Sequence, residues 1–586
     1  MTELSVIRSE ELQEALVLPI PEHPGLMLDG CRRLLGPNLY GSEPGAVGDC
    51  LVTCHDPAEV LSLWSGHVRH FLDPLGLPQS GLRLRPFDGG GSLYFPAPVD
   101  QLFTAAYVIE AAWYLTATGL LGLPAMAPEA LATELIRISG MERSTALTTL
   151  TAEAARRGID RLLDDDALTL GHGTGSATWA SDALPAAPDW ARLHDIPLAL
   201  VTGTNGKTTT TRLIAAMGAA AGKVSGLSST EFVKVGDEVL DRGDYSGPAG
   251  ARLLLRDKRL EIGVLEVARG GILRRGLPVT RARAAVVTNV AADHLGQYGI
   301  TTVPELAQVK LSVHRALAPG GQLILNADDP MVVTTASLLD TRPVWFSLSA
   351  ENPLISHARA EARPCGWLAD GMVHLSDGTE ETALVAAADV PLTLGGAARY
   401  NIENALAAAL AARALGLADT AIRKVLTSFR SDPTDNPGRA NEFTVNGARV
   451  FVDFAHNPHS IAAITSALAA LPAKRRFALI SHAGDRSDED IAALTRGLFA
   501  LRPDTVVAAE NPKYLRGRAP GEVPALIRRA CQDCGLTEDQ ILPAASPADG
   551  AGKIVARLQP GDLALLLVHD ERAAIFDLLR AQAGAA

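Results

Sequence analysis

The chain of 586 residues is poor in cysteine and in positive charge, and it has no long apolar run free of charged residues. Six scattered cysteines are too few for a disulfide framework in a chain of this length, which favours a reducing compartment. The 53 Lys and Arg against 66 Asp and Glu give a net charge of −13, whereas nucleic-acid and anionic-membrane binding needs clustered basic residues. We therefore expect a cytoplasmic protein whose partners include neither nucleic acid nor membrane.

Three segments could suggest a membrane-spanning helix, a signal peptide and a metal or redox site, and each has a simpler interpretation. The most apolar stretch, 103–126, is interrupted by Glu110 and Pro124, whereas a membrane-spanning helix needs about 20 apolar residues, so we expect buried helices there. The first residues lack a basic region followed by an apolar run, and no signal peptide is expected. Cys531 and Cys534 have the spacing of a zinc or redox pair, but no second pair lies nearby and the segment is typical of an ordinary helix.

The length predicts about three or four domains at roughly 150 residues each. The first part mixes turns with helical patterns and indicates an α+β accessory domain, a candidate for substrate binding. A stretch rich in Gly, Ser, Ala and Pro then predicts a linker. Beyond it, strands alternate with helices, which is typical of parallel α/β sheets. The predicted segments are the N-terminal domain 1–165, the linker 166–192, the central domain 193–435 and the C-terminal domain 436–586.

Short apolar runs predict the strands of the two α/β domains. In the central domain they lie at 196–201, 262–265, 284–288 and 322–325. In the C-terminal domain they lie at 449–453, 477–481, 504–509 and 563–568. Helical patterns cover 103–121, 127–157, 303–318 and the Ala-rich segment 401–417.

The strongest local signal is Thr-Gly-Thr-Asn-Gly-Lys-Thr at 202–208, between a predicted strand and a predicted helix. Glycines let a backbone fold around phosphate oxygens, and successive N–H groups at a helix N-terminus supply positive charge. Lys207 would reach the terminal phosphates and the Thr208 hydroxyl would ligate magnesium. The strict phosphate-loop pattern requires glycine at 201, where this chain has valine, so the prediction of a nucleoside triphosphate site depends on the context. The alternative is a plain Gly-rich turn.

The loop and the motifs after it resemble the Mur ligase family, the ATP-dependent amide ligases of peptidoglycan precursor, folate polyglutamate and cyanophycin synthesis. The matching motifs, in family order, are 202–209, Glu266, 288–296, 326–330, 401–406, 437–439 and 452–458. The segments 268–276, 293–300, 484–490 and 515–518 are most similar to the Mur-type half of the cyanophycin synthetases. The resemblance runs from about residue 195 to the C-terminus. It implies a Mur-ligase-like central P-loop ATPase domain and a Rossmann-like C-terminal α/β domain.

In the reaction that the resemblance implies, ATP phosphorylates a substrate carboxylate, an amine attacks the acyl phosphate, and ADP and phosphate leave. It implies an amino acid as the nucleophile, with Arg and Lys as candidates, and an Asp side chain or short peptide as the carboxylate acceptor. Residues 168–173 resemble the edge of the ATP-grasp domain that cyanophycin synthetases use to add Asp. Thr202 follows within about 30 residues, which leaves no room for that domain, so we do not expect the chain to polymerise Asp and Arg alone.

The resemblance also assigns roles to individual residues, with ATP and Mg²⁺ as the implied cofactors. The implied nucleotide-binding residues are Gly203, Thr204, Asn205, Gly206, Lys207, Thr208, Thr209, Asn401, Asn404, Arg439, Asp453, His456 and Asn457. The implied metal-binding residues are Thr208, Glu266, His294 and Lys310, the last as a carbamylated lysine. The implied catalytic residues are Lys207, His294, Lys310 and Arg439, and the implied substrate-binding residues are Arg269, Glu510, Lys513 and Arg516.

Several of these residues have a structural alternative. Lys310 could be a solvated helix residue, and Asn401 and Asn404, three residues apart on one helix face, could be exposed amides. The segment 453–457 could be a turn held by its own side chains, and the charges at 510–516 could form a solvated face.

Alternatives for the function also remain. One is a ligase acting on a peptidoglycan or folate-type acceptor. A second is a catalytically inactive nucleotide-binding partner subunit of a separate synthetase, which the retention of phosphate and metal ligands disfavours. A third is a nucleic-acid motor, which the acidic balance disfavours. A homo-oligomer is the expected assembly.

Overall fold

The computed structural model describes residues 10–433 and 436–583. Backbone contacts divide the chain into two compact units. The first unit comprises Met1–Lys207, Ile214–Trp345 and Ala407–Ala421, and the second comprises Thr208–Leu213, Phe346–Leu406 and Ile422–Ala586. Short 3-10 turns lie at Gly173–Gly175, Ser312–Ala316, Ala387–Asp389, Pro391–Thr393, Leu498–Leu501, Pro512–Tyr514 and Glu538–Gln540.

The N-terminal part of the first unit is an antiparallel sheet covered by helices. Its elements are β1 (Leu26–Leu34), β2 (Gly45–Val52), α1 (Pro57–Leu75), β3 (Arg83–Phe87), β4 (Gly90–Pro96), α2 (Leu102–Leu120), α3 (Pro128–Glu142) and α4 (Thr145–Arg157). The strand order is β1-β2-β4-β3. Trp64 of α1 and Trp113 of α2 are fully buried and meet edge to face at 5.0 Å, which fixes the two helices against each other.

Part of the predicted linker is folded. The strands β5 (Arg161–Leu163), β6 (Ala167–Leu170) and β7 (Ala177–Ala180) form a three-stranded antiparallel sheet. Leu168 and Leu170 are buried with Leu150 of α4 in a small separate core. The composition predicts a connector because most of the residues are small. Two leucines at alternate positions of one strand nevertheless share a face, and they are enough to bury that face of the strand.

The central part of the first unit contains the parallel sheet that positions the phosphate loop. Its elements are β8 (Leu198–Thr202), α5 (Lys207–Ala220), β9 (Ser225–Ser228), β10 (Phe232–Val235), β11 (Glu238–Arg242), α6 (Pro248–Leu255), β12 (Ile262–Glu266), α7 (Arg269–Arg275), β13 (Ala282–Val287), α8 (Val303–Leu311), β14 (Leu317–Asn326), α9 (Pro330–Ala336) and β15 (Val344–Ser347). Strands β9, β12, β8, β13 and β14 are parallel neighbours in that order, so β8 lies at the centre. The helix predicted over 303–318 ends at Leu311, because a 3-10 turn and β14 follow.

The middle of the second unit adds an antiparallel meander and two helices. Its elements are α10 (Pro353–Ala360), β16 (Pro364–Ala369), β17 (Met372–Asp377), β18 (Glu381–Ala386), α11 (Arg399–Ala414) and α12 (Asp419–Ser428). The strands β16, β17 and β18 pair in sequence order, and none of them is among the predicted strands. The predicted Ala-rich helix is α11.

The C-terminal part of the second unit is a doubly wound sheet. Its elements are β19 (Asn441–Val445), β20 (Ala448–Asp453), α13 (Pro458–Ala469), β21 (Arg476–Ile480), α14 (Asp488–Gly497), β22 (Thr505–Ala509), α15 (Glu522–Asp533), β23 (Ile541–Ala544), α16 (Pro547–Val555), β24 (Leu563–Leu567) and α17 (Arg572–Ala583). The order is β19-β20-β24-β21-β22-β23, and only the β19–β20 pairing is antiparallel. Two cores cover it, one built with α13–α15 and the other with α16 and α17. Because the helices that follow β20 and β24 belong to opposite cores, a ligand crevice is expected at the carboxyl ends of these strands.

Two further features concern the helices and the cysteines. Among the residues that the structure describes, every helix is too short or too polar to cross a membrane. All six cysteines are free thiols, and Cys531 and Cys534 lie at the C-terminal end of α15 as the helical interpretation predicts.

Candidate active site

The phosphate loop follows β8 and leads directly into α5. Gly203 has φ +146, and a Cβ there would lie 1.9 Å from Thr288 Oγ1, so this position accepts no side chain. Gly206 has φ +85 and immediately precedes the first residue of α5. Both glycines are therefore required by the backbone path, and the loop presents the N-terminus of a 14-residue helix.

The loop is held by the residues that follow β13. Asn289 Oδ1 accepts a hydrogen bond of 2.9 Å from the Asn205 N–H, and Asn289 Nδ2 donates to the Asn205 carbonyl across 3.1 Å. Thr288 Oγ1 donates to the same carbonyl at 2.6 Å, and the Thr204 N–H donates to the Asn289 carbonyl. Asn289 belongs to a motif that carries the family resemblance, but it is not among the residues to which the resemblance assigns a role.

Two lysines converge on one backbone oxygen of the loop. Lys207 Nζ donates to the carbonyls of Gly203 and Thr204 at 3.1 and 2.9 Å, and Lys310 Nζ donates to the Gly203 carbonyl at 2.8 Å. Lys310 is only 4% exposed, so the alternative of a solvated helix residue is wrong. Burial, and then the charge of Lys207, hold the pKa of Lys310 well below its usual range. Its ammonium group therefore loses a proton more readily than that of an exposed lysine.

The other predicted residues of the first unit lie on neighbouring strand ends or on exposed turns. Glu266 ends β12, is 2% exposed and is in register with Val201 of β8, which brings its carboxylate to the start of the phosphate loop. Arg269 begins α7, and its Nη2 donates to Gln297 Oε1 at 2.6 Å. His294 has φ +50, and its imidazole is 61% exposed beside Asp293 at 3.9 Å.

The threonines that begin α5 meet the segment before β19 within the second unit. Arg439 Nη2 donates to Thr208 Oγ1 at 3.5 Å, and Asn436 Nδ2 donates to Thr209 Oγ1 at 3.5 Å. The guanidinium of Arg439 also lies over the ring of Phe454, 5.3 Å from its centroid. The predicted residues Thr208, Thr209 and Arg439 are thus brought together, and Asn436 joins them without having been predicted.

The two asparagines of α11 are buried rather than exposed. Asn401 Nδ2 donates to the Leu392 carbonyl at 2.8 Å, and Asn401 Oδ1 accepts from Asn404 Nδ2 at 3.0 Å. Asn404 Oδ1 in turn accepts from Thr210 Oγ1 at 3.4 Å. The alternative of exposed amides is therefore wrong, and the pair connects α11 to the helix that follows the phosphate loop.

The turn after β20 uses its polar side chains to hold its own backbone. Asp453 Oδ2 accepts from the Ala440 N–H and Oδ1 from the Ala455 N–H, both at 2.7 Å, while burial raises the pKa of this carboxyl. Asn457 caps α13 by accepting from the Ser460 N–H at 2.9 Å. His456 Nδ1 lies 3.1 Å from the Phe454 carbonyl. The alternative of a turn held by its own side chains describes Asn457, whereas Asp453 also holds the backbone of Ala440, 13 residues earlier and just before β19.

The predicted substrate residues of the C-terminal part already have partners on the surface. Lys513 Nζ lies 3.4 Å from Asp570 Oδ1, and Arg516 forms an ion pair with Asp485. Glu510 Oε2 accepts from the Gly521 N–H at 2.5 Å. Any carboxylate bound by Lys513 or Arg516 would have to compete with these acids.

Three buried polar residues that the sequence did not single out lie at the carboxyl ends of β21 and β22. Ser481, His482 and Asn511 are 0%, 2% and 1% exposed. Ser481 Oγ, His482 Nε2 and both amide atoms of Asn511 have no hydrogen-bond partner among the described residues. Burial, and then nearby His569 and Arg486, lower the pKa of His482 well below its usual value. Leaving such groups unpaired costs about 1–3 kcal/mol each, so this arrangement is typical of a ligand site.

Comparison with known families decides the assignment. Residues 201–412 match the Mur ligase middle domain, and residues 438–567 match the Mur ligase, glutamate ligase domain. Together the two matches cover more than half of the chain, and the first begins at the phosphate loop. The chain belongs to the Mur ligase family. The predicted family and its α/β fold are thereby confirmed for these two domains.

Within the Mur ligase family the chain is similar to the Mur-type half of cyanophycin synthetases. It is 37% identical to the cyanophycin synthetase of Synechocystis sp. over 57% of this chain, and 38% identical to that of Crocosphaera subtropica over the same share. It covers only 38% of the length of either relative. It is also 26% identical to the UDP-N-acetylmuramoyl-L-alanyl-D-glutamate–2,6-diaminopimelate ligase of Chlamydia pneumoniae, over 55% of this chain and 64% of that one.

Proposed function

We propose that this protein is an ATP- and Mg²⁺-dependent amide ligase that joins an amino acid, Arg or Lys being the candidates, to a carboxylate acceptor such as an Asp side chain. The observation that carries the proposal is the phosphate loop with Lys207 and Lys310 on one backbone oxygen, in a chain that matches both Mur ligase domains. The N-terminal domain is proposed as an accessory domain.

The proposed first step transfers the terminal phosphoryl group of ATP to the acceptor carboxylate, and ADP leaves. Several negative charges meet in that transition state, so cations and N–H groups must surround them. Lys207 and the N-terminus of α5 are proposed to supply such groups, and Arg439, which donates to Thr208, is proposed as a further cation. Asn289 keeps the loop in the conformation in which its N–H groups can point at phosphate oxygens.

The donor groups at the loop suit Mg²⁺, which prefers oxygen ligands. Thr208 and Glu266 would hold it through oxygen and His294 through a ring nitrogen, with Lys310 contributing oxygens once its neutral amine has reacted with CO₂ to give a carbamate and release a proton. The low pKa of Lys310 favours that reaction, because only the neutral amine is nucleophilic. The metal would neutralise phosphate charge when bound.

In the second proposed step, the amine of the amino acid attacks the acyl phosphate carbon, phosphate leaves, and the amine loses a proton. We propose that the amino acid binds at the carboxyl ends of β21 and β22. The unpaired buried atoms of Ser481, His482 and Asn511 support a polar substrate there, and Asn511 is close in sequence to Glu510 and Lys513. Glu510 is a candidate partner for a basic side chain.

The test is phosphate release from ATP and Mg²⁺ by the full chain, across amino acids crossed with carboxylate acceptors that include Asp and short Asp peptides. We expect release only when one amine and one acceptor are both present, with a product whose mass equals their condensation. Lys207→Ala should abolish release. Lys223→Ala is the matched control, because Lys223 lies just after α5, has a side chain that is 51% exposed and forms a surface ion pair with Glu261.

A chain that binds ATP but never turns it over with any pair would contradict the proposal. In that case the inactive partner subunit would be the better interpretation. Release that needs only an amine, without an acceptor, would contradict the acyl-phosphate route.

A further inference from the structure

The loop at 293–300, which carries the predicted metal ligand His294, has an unusual backbone. His294 has φ +50 and Tyr298 has φ +56, in the left-handed region that residues other than glycine seldom adopt. Gly296 and Gly299 also have positive φ, at +92 and +62. Backbone of this kind persists only where the surrounding structure holds it, so contacts from outside the loop decide where His294 lies.

Arg85, on strand β3 of the N-terminal domain, makes the central contacts to this loop. Its Nη1 donates to the Gly299 carbonyl at 2.8 Å, and its Nη2 donates to the Tyr298 carbonyl at 3.0 Å. Ser92 Oγ of β4 accepts from Nη2 at 3.1 Å and fixes the guanidinium from its own sheet. One planar group with two N–H arms thus holds two adjacent peptide units that lie 213 and 214 positions later in the chain.

The same arginine reaches the start of α8, the helix that carries Lys310. Arg85 Nη1 lies 3.2 Å from Glu305 Oε1. Glu305 and Thr302 form a capping box at the N-terminus of α8, in which Glu305 Oε2 accepts from the Thr302 N–H at 2.9 Å. Arg85 therefore contacts both segments that lead to predicted metal ligands, the loop with His294 and the helix with Lys310.

Two further contacts fix the loop to the N-terminal domain. A Cβ on Gly299 would lie 2.3 Å from Phe87 Cε1 and 2.7 Å from Arg85 Nη2, so the loop and β3 touch without room for a side chain. The guanidinium of Arg32, on β1, lies over the ring of Tyr298, 4.9 Å from its centroid. The N-terminal domain thus holds the loop by its backbone, at a glycine and at an aromatic ring.

We propose that Arg85 is a positioning residue for the metal site of the proposed ligase. Through this side chain the N-terminal domain holds the loop 293–300 and the start of α8, so that His294 and Lys310 are presented to the metal. The proposal rests on the proposed function, because the metal belongs to that reaction. It gives the N-terminal domain a part in the reaction without requiring any of its residues to touch the substrate.

The experiment compares Arg85→Met with Arg83→Met in the full chain. Arg83 is the matched control, because it lies two residues earlier on β3, is exposed, and donates to the neighbouring Leu82 carbonyl. Mn²⁺, a paramagnetic substitute for Mg²⁺, is titrated into each protein with a non-hydrolysable ATP analogue present, and free Mn²⁺ is measured by electron paramagnetic resonance.

We expect the Mn²⁺ affinity to fall by about 10-fold or more in Arg85→Met and to keep its wild-type value in Arg83→Met, because groups that orient metal ligands control affinity to this extent. Arg85→Lys keeps the charge and a donor, so it should recover part of the affinity. Equal Mn²⁺ affinity in Arg85→Met and Arg83→Met would overturn the proposal, as would a wild type that binds no Mn²⁺.

Native-state proteolysis reports the position of the loop without metal, nucleotide or substrate. Chymotrypsin cleaves after exposed tyrosines, and mass spectrometry identifies the fragments that end at Tyr298. We expect this cleavage to be about 10-fold faster in Arg85→Met than in Arg83→Met, because the loss of two hydrogen bonds raises the population of the opened loop. Equal cleavage rates well below the unfolding temperature would also overturn the proposal.

Gly299→Ala tests the same contact from the loop side if Arg85→Met does not fold. Its Cβ collides with Phe87 and with Arg85 Nη2, so the Mn²⁺ affinity should fall although the arginine is present, and an unchanged affinity would count against the proposal. Phosphate release by the wild type tests the proposed function separately. A wild type that binds Mn²⁺ and nucleotide without turnover would contradict the ligase, whereas the comparison of the variants would still decide the role of Arg85.

Discussion

Lys310 donates a hydrogen bond of 2.8 Å to the carbonyl of Gly203, a residue 107 positions earlier in the chain. Lys207 donates to the same oxygen at 3.1 Å. One carbonyl cannot fully compensate two ammonium charges, and Lys310 is the more buried of the two lysines. The arrangement therefore favours Lys310 as a neutral amine and links helix α8 to the phosphate loop.

Lys310→Met should reduce substrate-dependent phosphate release by about 100-fold or more, because the loop loses a group proposed to hold the metal.

The same variant should unfold at a higher temperature at pH 7. Between its lowered pKa in the folded chain and its ordinary pKa of about 10.5, Lys310 binds more protons in the unfolded chain, so its contribution to wild-type stability rises with pH over that range. The advantage of the variant should therefore shrink as pH rises. Thermal unfolding at several pH values measures it, and a variant less stable at pH 7 would contradict the burial argument.

Gly203→Ala should abolish ATP binding and destabilise the chain by about 1–3 kcal/mol, because a Cβ at this φ collides with Thr288 Oγ1. The matched control is Gly66→Ala, in the middle of α1, where a Cβ meets no atom within 4 Å. That change should stabilise the chain by about 0.5–1 kcal/mol, since alanine is the better helix former. Urea unfolding and ATP titration of both variants distinguish the two positions. Unchanged ATP affinity in Gly203→Ala would show that the loop is not the nucleotide site.

Asn289→Ala should weaken ATP binding by about 10-fold, corresponding to about 1.4 kcal/mol, because it removes both hydrogen bonds to the Asn205 backbone. Asn289→Asp keeps the acceptor for the Asn205 N–H but loses the donor to its carbonyl, so an intermediate affinity is expected. Equilibrium titration with a fluorescent ATP analogue provides the measurement. If alanine and aspartate have the same small effect, the loop does not depend on this side chain.

The free energy of unfolding should fall as pH drops below 6.5, partly through His482. Its pKa is held well below that value in the folded state, so the unfolded chain gains a proton that the folded chain does not. His482→Gln, which does not titrate, should flatten this part of the pH profile between pH 7 and pH 5. His569, whose pKa burial also lowers, would account for part of the remaining slope. An unchanged slope in His482→Gln would show that the imidazole is protonated in the folded chain.

Much of the fold follows from local patterns. The predicted strand at 449–453 is β20, Ala448–Asp453, and the predicted strand at 563–568 is β24, Leu563–Leu567. Short apolar runs between helical segments are reliable here because both faces of these parallel strands are covered. The meander β16–β18 was missed because its strands alternate buried and exposed residues irregularly, as in Met372–Asp377.

Some residues of the candidate site could be predicted from the sequence, and others could not. Glycine, lysine and threonine at fixed spacing predict the phosphate loop, because that chemistry is local to one turn. Asn289, Ser481, His482 and Asn511 could not be ranked from the sequence, since their significance depends on burial and on hydrogen bonds that are made or left unmade. The position of a polar residue directly after an apolar strand was the only signal available.

The sequence by itself determined the alternation of strands and helices in the two α/β domains, the phosphate loop and the family resemblance, because hydrophobic periodicity and glycine positions act over a few residues. Only the tertiary structure decided that Lys310 is buried against Gly203 and that residues 167–180 belong to a small antiparallel sheet. Each of these depends on segments distant in sequence, whose packing sets the burial and electrostatics of the side chains between them.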